Sequence, residues 1–247
     1  MKKLLFAFAL SSVLFSCEKE KSTPNNTGNN STDTTKTSNK TIGKLGPNIT
    51  DVEGNSYKTV YIGTQQWMGE NLKTSKYSDG TTIPTITDNT QWQNNTTGAC
   101  AHYNNDVVNN AKYGKLYNWY AVSKTTNGNK NICPTGWHIP SDAEWTVLTD
   151  CLGGLAVAGG KLKEVGTTSW DSPNTDATNA SLFTGLPGGN RFSNGDYYNF
   201  GYYGGWWSST ERNIDDAWGR DISYDSGFSF RDEYNKTDGF SVRCLRD

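Results

Sequence analysis

At 247 residues, with 34% hydrophobic side chains and tryptophan, tyrosine and phenylalanine supplying 13% of the chain, the sequence is long enough to bury a core built from few but large groups. Its formal charge of −2 becomes more negative once Lys2 and Lys3 are set aside with an N-terminal leader, which excludes nucleic acid and anionic lipid as principal partners. Twenty-six glycines against seven prolines predict many turns and short strands.

Residues 1–16 read as an export signal: Lys2 and Lys3 form a basic end, and the apolar run that follows is too short to span a bilayer. Leu14-Phe15-Ser16-Cys17 resembles a bacterial lipobox, which makes Cys17 the expected site of lipid attachment. A lipid there places the chain on a membrane of the cell envelope without crossing it. Glu18-Lys19-Glu20 resembles the acidic export signal of surface lipoproteins, pointing to the outer membrane and its exposed face. Residues 17–47 are polar and repetitive, with too few apolar groups to offset the entropy of ordering, and are expected to form a disordered tether.

The folded domain is expected over 48–247. Residues 51–63 read as two strands joined at Gly54-Asn55, and Gln65 to Leu72 as a further strand. Residues 81–95 are rich in loop formers. Leu116, Trp119 and Tyr120 at i, i+3 and i+4 predict a short helix. The strongest local signal follows in Cys133-Pro134-Thr135-Gly136-Trp137-His138-Ile139-Pro140-Ser141-Asp142-Ala143-Glu144-Trp145. Pro140 biases Ile139 toward extended backbone, and Ser141 with Glu144 makes a capping box. Trp145, Leu148 and Leu152 recur at helical spacing until Gly153-Gly154 ends the run. A third helix over 155–165 is interrupted by Gly159-Gly160. From Ser181 onward, short aromatic runs between glycines predict a twisted antiparallel sheet with long loops.

Several stretches in one order carry a family likeness: Trp67-Met68-Gly69-Glu70-Asn71-Leu72, Gly114-Lys115-Leu116-Tyr117-Asn118-Trp119, the Cys133 stretch, Leu186-Pro187-Gly188-Gly189, Trp207-Ser208-Ser209-Thr210 and Val242-Arg243-Cys244. The sequence resembles the Fibrobacter succinogenes major paralogous domain family. More distantly, Ile139 to Trp145 and Gly239 to Cys244 resemble the helix start and last strand of formylglycine-generating enzymes. That resemblance implies an α+β, C-type-lectin-like domain with two to three short helices. It also implies a Cys133–Cys244 disulfide, leaving Cys100 to pair with Cys151. Those enzymes hold copper through two late cysteines. Here Cys244 is the only late cysteine, so their activity is not expected and no catalytic residue is assigned.

Histidines 102 and 138 stand far apart, and His138 is expected to be half-buried and bonded to backbone. Glu144 is read as the capping carboxylate, with Arg243 a possible ion-pair partner. Asn104, Asn105 and Asp106 form an oxygen-rich loop of the kind calcium prefers, as do Asn174, Asp176 and Asn179; no other cofactor is expected. The aromatic surplus is the better functional lead. Tyr198, Tyr202, Tyr203, Trp206 and Trp207 crowd one region, and alternation along a strand places Trp206 with Tyr202 and Trp207 with Tyr203. One set is expected at the surface as a platform for a glycan or an envelope or host protein. The expected function is therefore a non-enzymatic binding module, with an adhesin-type assembly subunit as the alternative and an unadvertised enzyme as a third reading.

Overall fold

The computed structural model describes residues 41–247; the leader, Cys17 and most of the expected tether lie outside the described residues. The first strand, β1 (Ile42–Thr50), begins inside the stretch read as tether. Gly43 and Pro47 argue against a central strand, but β1 is a sheet edge whose pairing with β2 (Ser56–Ile62) shifts register twice, and edges and bulges accept both residue types. Asp51 ties the connecting turn, accepting the backbone N–H groups of Glu53 and Asn55 at 2.9 Å and the Tyr57 hydroxyl at 2.6 Å. The next strand, β3 (Gln65–Met68), stops at Gly69 instead of continuing to Leu72.

Short elements follow: α1 (Asn89–Gln93), β4 (Cys100–Ala101), α2 (Val108–Tyr113), β5 (Leu116–Asn118) and α3 (Trp119–Val122). The helix expected from Leu116 starts later because Asn118 caps it, its side chain accepting the Ala121 N–H at 3.1 Å. After β6 (Trp137–His138), the predicted capping box is present at α4 (Asp142–Cys151). Next, α5 (Leu155–Leu162) keeps its two glycines because it lies hard against neighbouring backbone. A Cβ on Gly159 would strike the Phe228 carbonyl, and one on Gly160 the Asp176 carbonyl. The chain ends in β7 (Gly188–Arg191), β8 (Tyr197–Phe200), β9 (Tyr203–Glu211), β10 (Asp216–Ser223), β11 (Ser229–Asn235), β12 (Gly239–Phe240) and β13 (Leu245–Arg246).

The fold is α+β, with five short α-helices among the described residues where two or three were expected. One sheet runs β1-β2-β3-β13-β6; the larger runs β11-β10-β9-β7-β12-β5-β4, with β8 paired to β7. The larger sheet is mixed, not antiparallel. The chain reverses into β8 and again into β9, so β9 meets β7 in parallel, with Gly189 opposite Gly204. Trp206 and Trp207 on β9 project into two separate cores. Of the seven tryptophans with less than 2% exposure, all but Trp92 donate their indole N–H to an oxygen.

Cys133 and Cys244 form a disulfide across a separation of 111 residues, contributing roughly 4–5 kcal/mol in the chain-entropy model. Cys100 and Cys151 are buried free thiols, correcting the second expected bridge. Cys100 lies in the core around Trp119 and Trp207, Cys151 in the one around Trp145.

Beside the disulfide, the buried Arg243 guanidinium donates to the Asn71 side chain at 2.8 Å and to the carbonyls of Phe183 and Thr184. Asn71 also accepts the Trp206 indole at 2.9 Å and donates to the Tyr113 carbonyl at 2.8 Å and the Ser241 hydroxyl at 3.1 Å. Arg243 thus meets Asn71 instead of Glu144. Asn71→Ala strips a buried charge and a buried indole of their acceptor, and should lower the unfolding free energy by about 3–5 kcal/mol. Urea denaturation of the oxidised protein checks this; a loss under about 1 kcal/mol would show that the junction is not what holds the two ends together.

Candidate functional site

Along β9, β10 and β11 every second side chain shares a face. Asp221 lies opposite Gly205, Gly219 opposite Trp207, and Ser223 opposite Tyr203. Tyr234 opposes Ala217 on that same face. Gly205 carries no side chain because the Phe240 ring lies directly over it; a Cβ there would strike the ring. Strand β12 therefore pushes Phe240 into the sheet face and leaves a hollow of about 230 Å³ in front of Asp221. Tyr234 and Phe240 line its inner side. Asn190, Phe192, Asn199 and Tyr203 also line it. Asn199, held at φ +65°, donates its amide to the Asn190 side chain at 2.9 Å.

Asp221 is only 4% exposed, and burial pushes its pKa up to about 6. The Tyr234 hydroxyl, which donates to it, pulls the other way, Asp232 adds to the rise, and the charge of Arg220 lowers it. Burial, and then the Asp221 charge, raises the Tyr234 phenol far above its ordinary value. The cleft thus joins one buried acid, two side-chain amides and aromatic walls from separate strands.

Three of the five aromatics expected to bind are at the surface: Tyr203 at 37% exposure, Tyr198 at 42% and Tyr202 at 44%. Tyr203 lines the cleft. Tyr198 packs its ring on Phe192 at 4.9 Å, and Tyr202 packs on Tyr224 at 5.1 Å. Trp206 and Trp207, at 1% and 0%, are core residues and cannot form the expected platform. The sheet is covered on both faces, so alternation exposes neither. Asp221, Tyr234, Asn190, Asn199, Phe192 and Phe240 were not anticipated. The available signal was an acid on an alternating strand, in register with glycines and a tyrosine.

In the first oxygen-rich loop, Asn105 and Asp106 spend their side-chain groups internally. Asn105 donates to the Thr87 carbonyl at 3.1 Å and accepts the Tyr197 hydroxyl at 2.7 Å, while Asp106 accepts the Val108 N–H at 3.0 Å. Asn104 adopts φ 53° in the same turn. Beside Asn174, Asp176 and Asn179 there is a cation, but it belongs to the chain. The fully buried Lys163 ammonium donates to the carbonyls of Thr175, Ser223 and Ser226 at 2.6–2.9 Å. Among the described residues, no three His, Cys, Asp or Glu side chains form a group suited to a metal ion.

A wider depression of about 470 Å³ holds His138. Its ring bonds carboxylates, not backbone: Nδ1 lies 2.6 Å from Asp247 and Nε2 3.1 Å from Glu144. Both nitrogens are engaged, and Glu144 is further committed to the Ser141 cap. This cluster ties Asp247 and β6 to α4 and leaves the ring no free nitrogen for a ligand.

Together these features define a class: an aromatic-rich α+β domain, cross-linked from mid-chain to its final strands, with a polar cleft on the larger sheet. Residues 60–246 match the model of the Fibrobacter succinogenes major domain, and the chain belongs to that family. No curated protein and no solved structure matches it.

Because Asp221 holds its proton more tightly when folded, its contribution to stability is complete below pH 4 and is lost as pH rises through about 6. Over that window it should amount to about 3 kcal/mol, and Asp221→Asn should remove this part of the slope. Denaturant titrations at pH 4 and pH 7 measure both proteins; parallel pH dependences would refute the assignment.

Proposed function

We propose that this chain is a lipid-anchored binding module of the cell envelope, attached through Cys17, that recognises a glycan in the Asp221 cleft without catalysis and without a metal or cofactor. The carrying observation is the pairing of half-exposed rings, Tyr203 and Phe192, with the hydrogen-bonding groups of Asp221, Asn190 and Asn199 in one hollow. A sugar ring has an apolar face that stacks on an aromatic side chain and hydroxyls that need both donors and acceptors. The cleft lining contains one carboxylate, whereas hydrolysis of a glycoside takes two in most families. A C-type-lectin-like architecture, implied by the sequence resemblance, accords with such a role. So does the polar stretch expected as a tether over 17–47, which would give the domain reach from the outer membrane.

Assembly by strand addition has less support. The free edge β11 carries Arg231, Asp232 and Glu233 in succession, and the free edge β1 is bulged and contains Pro47. Charges, bulges and proline at an edge all oppose pairing with another chain.

Screened on a glycan array, the mature chain should give hits that calorimetry reproduces. Tyr203→Ala and Asn190→Ala should each weaken them by about tenfold, or 1.4 kcal/mol, while Tyr202→Ala outside the cleft should leave them unchanged. Hits indifferent to Tyr203 and Asn190, or no hits on a broad array, would sink the reading.

A further inference from the structure

We propose that the Asp221 cleft selects ligands bearing a protonated amine, which in the glycan reading on which this inference rests means an amino sugar with a free amino group. The argument is one of charge accounting. Several other buried ionic groups in the domain have partners in the fold. Asp142 meets Arg220 at 2.7 Å and Arg231 at 2.8 Å. Arg191 lies between the rings of Trp92 and Tyr197, at 4.3 and 4.8 Å. Lys163 has its three carbonyls, and Arg243 has Asn71. Asp238 takes backbone N–H groups of Ser193 and Asn235.

Asp221 differs. Among the described residues, no lysine or arginine nitrogen comes within 4.0 Å of its carboxylate. Its sequence neighbour Arg220 is turned to the opposite face of β10 and bonded to Asp142, so it acts on Asp221 only as a charge at a distance, without contact. The neutral Tyr234 hydroxyl is its hydrogen-bonding partner, and Asp232 places a further negative charge nearby. A buried carboxylate without a cation is costly, and the missing charge is what an entering ammonium brings. The rest of the wall suits the same guest. Tyr203, Tyr234, Phe192 and Phe240 surround the hollow, and aromatic faces attract cations, most strongly where water is excluded. Uronic and sialic acids would instead meet a like charge with no basic side chain in the lining. N-acetylated sugars carry no charge to match Asp221.

The test is calorimetric titration of the mature chain at neutral pH and physiological salt with four oligosaccharides of equal length: β-1,4-glucosamine, its N-acetylated form, β-1,4-glucose and galacturonate. The expected order places the glucosamine oligomer first by about tenfold over both neutral oligomers, with the galacturonate weakest. Asp221→Asn should abolish the preference, bringing glucosamine to the neutral level. Asp215→Asn, an exposed acid outside the cleft, should keep it. Equal loss in both variants would mean attraction to overall negative charge and would overturn the proposal. Tyr203→Leu keeps the carboxylate but removes a ring, and serves if Asp221→Asn does not fold; unchanged glucosamine binding there would also count against it. Tyr203-dependent binding of a neutral or acidic oligomer as tight as glucosamine would overturn the amine selectivity while leaving the glycan reading intact. Failure of all four on the wild type, with a silent glycan array, would remove the glycan reading itself.

Discussion

A guanidinium buried in the middle of the protein is the constraint on which the rest of the domain depends. Arg243 is 1% exposed and lies 4.0 Å from the Phe183 ring centre, so water cannot solvate its charge. It stays charged because the side chain does not lose its proton in proteins, even where burial draws the pKa down to about 9. The fold must therefore bring acceptors to it, and they come from distant parts of the chain: Asn71 after β3, and the carbonyls of Phe183 and Thr184 before β7. The disulfide at the neighbouring Cys244 closes the same junction covalently. A buried charge left with a half-made set of partners is costly, so arrangements that separate Arg243 from these acceptors are disfavoured.

That junction reaches the cleft through a short run of chain. The Ser241 N–H donates to the Gly205 carbonyl at 3.1 Å, and the Ser241 carbonyl accepts the Trp207 N–H at 3.3 Å, so the segment just before Arg243 is laced to β9. Phe240, one residue earlier, is thereby pressed onto Gly205 and against Trp207, with ring centres 5.0 Å apart. Its position defines the inner side of the hollow that Asp221 faces. The site stands on paired strands instead of free loops, and a rigid support keeps binding groups oriented before a ligand arrives.

Much of this was legible from residues alone where local rules act. The capping box at Ser141 and Glu144 formed because both of its bonds are made within four residues. Gly159 and Gly160 looked like helix breakers and are contact points, a distinction that depends on what packs against α5. Strand β1 was hidden by its own glycines and proline, which an edge tolerates and a pattern search penalises. The exposure of Trp206 and Trp207 was misjudged for a related reason. Alternation tells which residues share a face, but whether that face meets water or a second core is a property of the whole fold. Asp221 escaped notice because one acid among 25 Asp and Glu residues carries no local mark. Its character arises only when Gly205, Tyr234 and Phe240 assemble around it from three strands.

The treatment of charge separates the domain's scaffold from its site. In the scaffold, several buried charges are matched inside the chain, even to the extent of an ammonium held in a cage of carbonyls. Asp142 ties α4 to the sheet in the same way, with its carboxylate shared between arginines on β10 and β11. The Arg220 guanidinium and the Asp221 carboxyl are adjacent in sequence, yet alternation sends the first into that matched network and the second into the hollow. One strand thus builds both: one face stabilises the fold, and the cleft face carries a carboxyl that no basic side chain of the fold touches.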